Sequence, residues 1–94
     1  MGNVPTTPGN DLYVGKEQIT SLSTVKSLTP PSAARWAIAK PRSQGVYMNL
    51  GAVNASSADM EIKADVAVQI TSSLANVRMI ETAASAIVDV WYFG

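Results

Sequence analysis

The chain has 94 residues, with seven lysine or arginine side chains balanced by seven aspartate or glutamate side chains, and it contains neither cysteine nor histidine. That length holds one small core, and a chain of this size buries roughly 60–65% of the surface its unfolded form exposes, so partner chains often complete its stability. Balanced charge without a basic cluster argues against nucleic acid, which needs concentrated lysine and arginine, and no basic amphipathic stretch suits a membrane surface.

The opening stretch, MGNVPTTPGND, holds two prolines, two glycines and two asparagines. Such residues form neither a ladder nor a helix, so an extended arm is expected, either an unordered terminus or one lying across a neighbouring subunit. Residues 1–17 are assigned to the arm and 18–94 to the folded domain. Ile19, Leu22, Val25 and Leu28 follow at spacings of three. The serines and threonines between them favour strands and turns, so one or two strands with a bulge are predicted, with a short helix as the competitor. Pro30 and Pro31 stop that segment.

Residues 34–39 then read as a strand of period two, with Ala34, Trp36 and Ile38 on one side, and Pro41 is expected to end it. Val46, Met48 and Leu50 alternate with Tyr47 and Asn49, and Gly51 closes that strand. A polar linker leads to short strands at Met60–Ile62 and at 66–70, and then to a strand in which Val77 and Met79 alternate with Arg78 and Ile80. The last strand spans about 86–93. Ala86, Val88, Val90 and Tyr92 share one face, and Ile87, Asp89, Trp91 and Phe93 share the other. Seven or eight short strands at regular spacing predict an all-β sandwich or jelly-roll-like domain. The alanine-rich TAASAIV is the one stretch that also reads as helical.

The terminal strand is apolar on both faces, with Asp89 its only charge. An edge strand built that way would aggregate, so it is expected to be central in a sheet or covered by another chain. Ile87, Trp91 and Phe93, joined by Val4 and Pro5 of the arm, are therefore the candidate subunit interface.

Catalytic chemistry is thinly supplied. Without histidine the commonest general base is missing, and without cysteine there is no disulfide and no thiolate metal site. No serine sits in a GxSxG elbow, and no glycine-rich phosphate loop occurs. Asp59, Glu61 and Asp65 are conceivable calcium ligands, but no DxDxDG-type loop accompanies them, so a solvated strand face is the better reading. A non-enzymatic chain without cofactor or metal is expected. No apolar run approaches the ~18 residues of a membrane span, which suits a protein that folds in, or assembles from, the cytoplasm. Trp36 and Tyr47 form a candidate aromatic surface. Together with Trp91 and Tyr92 they allow a carbohydrate-binding module as an alternative to core and interface roles.

Three stretches carry a resemblance: VKSLTPPSAARWAI at 25–38, QGVYMNLG at 44–51, and NVRMIETAASAIVDVWYF at 76–93. In order and spacing they resemble small virion proteins of tailed bacteriophages. Leu28, Pro30, Pro31, Ala34 and Ala37 match the turn and following strand, and Val88, Val90, Tyr92 and Phe93 match the close. The chain departs from the commonest pattern at Met48-Asn49-Leu50-Gly51, where an acidic-glycine hairpin is usual. The resemblance implies a β-sandwich on the phage particle, most simply a decoration or cement protein of the head shell. A small head–tail connector or tail component is the alternative. It implies the major capsid protein or neighbouring structural subunits as partners, a homo-oligomer such as a trimer, and a virion location.

Overall fold

A computed structural model describes residues 12–71 and 73–94, so the candidate contacts Val4 and Pro5 lie outside the described residues. Eight strands follow one another: β1 (Tyr13–Ile19), β2 (Lys26–Ser27), β3 (Trp36–Arg42), β4 (Val46–Asn49), β5 (Met60–Ile62), β6 (Val68–Ile70), β7 (Arg78–Glu81) and β8 (Ile87–Phe93). A single 3-10 turn, Leu74–Asn76, is the only helical element among the described residues. The fold is all-β, as the period-two patterns predict.

The strands form two four-stranded sheets, ordered β1-β8-β3-β6 and β2-β7-β4-β5, and every pairing is antiparallel. Only the β4–β5 connection stays within a sheet, and the chain otherwise crosses from one sheet to the other at each step. This strand order is that of an eight-stranded jelly roll. Inward-facing residues of both sheets make the core. Ile19, Ala37, Ala39, Ile70, Val88, Val90 and Tyr92 come from the first sheet, and Val46, Met48, Ile62 and Met79 from the second. Leu22, Leu28, Leu74 and Val77 close it from the connections.

The terminal strand is central. β8 is hydrogen-bonded to β1 on one side and β3 on the other, so it presents no free backbone edge. Its end is fixed as well: the Gly94 N–H donates to the Leu12 carbonyl at 2.8 Å, and the Arg35 N–H donates to the Phe93 carbonyl at 2.7 Å. Order at the chain end follows from these bonds and from the burial of alternate side chains.

Two local expectations are corrected, and the helical alternative for TAASAIV falls away. The strand before the first proline pair begins at Tyr13, so residues 13–17, assigned to the arm, belong to the sheet. A bulge between Tyr13 and Gly15, with Gly15 at φ 153°, breaks the alternation that would have revealed it. Pro41 does not end its strand but lies buried inside β3, opposite Val88. Its carbonyl accepts the Asp65 N–H at 2.7 Å, on the side where β6 has already ended, so the missing proline N–H falls outside the ladder to β8. TAASAIV is a turn and the start of β8; Ser85, at φ 74°, cannot continue a right-handed helix.

Gly45 opens β4 where the backbones of two strands approach closely. A Cβ there would lie 2.5 Å from the Ile62 carbonyl oxygen, and the Gly45 carbonyl itself accepts from the Thr82 N–H (3.0 Å) and hydroxyl (3.1 Å). Gly45→Ala should therefore lose about 1–3 kcal/mol of stability in urea unfolding. A neutral effect would show that β4 and β5 can separate freely.

Candidate functional site: the outer face of the first sheet

Because β8 alternates, burying Ala86, Val88, Val90 and Tyr92 turns Ile87, Asp89, Trp91 and Phe93 outward, where all four are half-buried. The strand registers then set neighbours in rows across the face. The first row is Tyr13, Phe93 and Trp36. The second is Lys16, Trp91 and Ile38, extended by Gln69 of β6. The third is Gln18, Asp89 and Lys40, and the last pairs Ile87 with Arg42. The face is thus aromatic at one end and charged at the other.

At the aromatic end the rings touch. Trp36 and Phe93 are stacked, with centroids 4.4 Å apart and planes 17° from parallel, and Tyr13 meets Phe93 edge-on at 5.9 Å. Such pairs are worth about 0.5–1.5 kcal/mol beyond area burial. Beside them apolar side chains are open to water: Tyr13 is 54% exposed and the adjoining Leu12 is 70% exposed.

At the polar end Arg42 Nε lies 2.8 Å from Asp89 Oδ2, and Gln18 Nε2 donates to Asp89 Oδ1 at 3.1 Å. The ion pair is solvent-accessible, so its stabilisation is about 0–1 kcal/mol. Its effect is geometric, since it holds both side chains beside Trp91. An open groove of about 490 Å³ runs between Lys16, Gln18, Arg42, Asp89 and Trp91.

Beneath the face, Glu17 ties β1 to the turn before the prolines. Its carboxylate accepts the Thr29 N–H at 2.8 Å, the Thr29 hydroxyl at 2.7 Å and the Tyr92 hydroxyl. Burial, followed by the hydrogen bond to Glu17 and its negative charge, raises the Tyr92 phenol well above the ordinary tyrosine range. A raised folded-state value means that this stabilisation is complete below the unfolded value of about 10 and is lost as pH climbs beyond it. Tyr92→Phe removes the ionising group. The stability gap between wild type and this variant should hold constant up to about pH 10 and shrink above it. Denaturant unfolding from pH 7 to 11 measures the gap, and a gap that widens with pH would contradict the assignment.

The structure separates residues that the sequence groups. Trp36 shares the outer face with Ile87, Trp91 and Phe93, but Tyr47 faces outward on the second sheet, so Trp36 and Tyr47 do not form one aromatic surface. Tyr92 points into the core. Two of the three carboxylates considered for calcium have other partners: Asp59 accepts from the Asn49 amide and the Ser56 N–H, and Glu61 pairs with Lys63 at 3.3 Å. Among the described residues no group of three or more acidic side chains converges on a metal position, and no helix is long and apolar enough to cross a membrane. The groove was not foreseen. Its one sequence signal is Asp89, a lone charge in an apolar strand at the same parity as Trp91. No protein-family model, curated protein or solved structure matches the chain.

Proposed function

We propose that this chain is a non-enzymatic structural subunit that associates with copies of itself through the aromatic end of the β1-β8-β3-β6 face. The observation that carries this reading is the touching row of Tyr13, Phe93 and Trp36, with Tyr13 and the adjoining Leu12 largely exposed. Exposed apolar patches of this kind mark interaction surfaces, and aromatic anchors dominate their energetics. The non-catalytic part rests on a sequence without histidine or cysteine.

The setting we propose is a bacteriophage head shell, which the chain decorates as an oligomer, with the major capsid protein as its second partner. Support comes from the spacing resemblance and, at the level of fold analogy alone, from the jelly-roll strand order, which capsid domains share with lectins. A small neck or tail component is the variant of the same reading. Mixing the purified chain with head shells that lack it tests the setting. Saturable co-sedimentation at a fixed number of copies per shell is expected, and a chain that stays in the supernatant at all concentrations would refute it.

A further inference from the structure

We propose that the groove beside Trp91 is a binding subsite for a neutral sugar ring. A pyranose has one face of C–H bonds and a rim of hydroxyls, so its receptor needs an aromatic plane next to groups that both donate and accept hydrogen bonds. The outer face supplies both within adjacent rows. Trp91 lines the groove, and its indole N–H has no protein partner among the described residues. One row along, the Asp89 carboxylate stands between two donors, the Arg42 guanidinium at 2.8 Å and the Gln18 amide at 3.1 Å.

That arrangement selects the ligand class. Each hydroxyl of a vicinal pair can donate to a free lone pair of Asp89 and accept from an unused N–H of Arg42 or Gln18. Of the charged groups lining the groove, Lys16 and Arg42 are balanced by Glu17 and Asp89, so it favours an uncharged ring over an anion. Arg42 and Asp89 are already held together before any ligand arrives, which lowers the ordering cost of binding. At about 490 Å³ the groove matches the size of small-ligand sites, and being open it suits one or two units of a longer glycan. It begins one row beyond the Tyr13, Phe93 and Trp36 contact, so self-association through that row leaves the far end of the groove accessible.

The inference goes beyond the docking role and is tested on the isolated chain, so its failure leaves the docking role standing. Purified full-length protein is titrated calorimetrically with malto-, cello-, manno- and galacto-oligosaccharides to millimolar concentration. Tryptophan emission is followed in parallel, and oligogalacturonate serves as the acidic comparator. At least one neutral series should bind and perturb the emission. Trp91→Ala should weaken that binding about tenfold or more, a loss in the range of aromatic stacking energies. Gln18→Ala and Arg42→Ala should weaken it as well, and Tyr47→Ala, on the other sheet, should not. Absence of binding by every neutral series, tighter binding of oligogalacturonate, or unchanged affinity in a folded Trp91→Ala would overturn the proposal. Should Trp91→Ala fail to fold, unchanged affinity in both Gln18→Ala and Arg42→Ala would do the same.

Discussion

Tyr92→Ala should lose about 3–5 kcal/mol of stability, the largest cost expected of any single substitution in the terminal strand. Tyr92 is 1% exposed on the central strand of the first sheet and is the largest fully buried side chain in the molecule as described. Truncating it leaves a cavity between the sheets and removes a donor from the Glu17 carboxylate, which also holds Thr29. For a domain of this length the whole stability is about 5–14 kcal/mol, so the loss is a large fraction of it. Tyr92→Phe keeps the ring and should cost about 1.5–3 kcal/mol, the usual worth of a hydrogen bond to a charged group. Urea unfolding of the three proteins separates the two contributions. A loss below about 1 kcal/mol for Tyr92→Ala would mean that the sheets close over the gap or that the ring is not in the core.

The second large effect falls on association. Converting Trp36 and Phe93 together to alanine should weaken self-association by about 30-fold or more, the equivalent of at least one anchor of about 2 kcal/mol. Both rings lie on the outward parity of their strands, with only partial burial, so folding should survive. Its cost should be the stacking energy of the pair, about 0.5–1.5 kcal/mol, together with the apolar burial that the two truncated rings give up. Far-ultraviolet circular dichroism checks the fold, and sedimentation velocity over a concentration series reads the association. A variant that associates as tightly as the wild type would move the contact away from this row.

Much of the fold was written in alternation. Residues 34–39, 45–50 and 86–93 have period-two patterns strong enough to assign strands and faces, and the two-sided apolar character of 86–93 left a central strand or one covered by another chain as the alternatives, of which central placement is the one observed. What the sequence hid was long-range or conformational. β1 starts at Tyr13, but its bulge at Gly15 and its three polar residues Lys16, Glu17 and Gln18 look like the end of a polar arm. Pro41 reads as a strand terminator because its harmlessness depends on where β6 stops, which no local pattern records. That misreading placed Arg42 in a loop and concealed its pairing with Asp89. The separation of Trp36 from Tyr47 was hidden for a related reason. They lie eleven positions apart in consecutive strands, yet those strands belong to opposite sheets. Parity predicts which way a side chain points but not which sheet its strand joins.

The aromatic row of Tyr13, Phe93 and Trp36 is the proposed self-association surface. Light scattering on the purified chain, with the Trp36→Ala/Phe93→Ala variant alongside, tests it most directly by absolute mass. A defined multiple of 9.9 kDa is expected for the wild type and 9.9 kDa for the folded variant. A wild type at 9.9 kDa throughout the concentration range, or a folded variant with the wild-type mass, would contradict it.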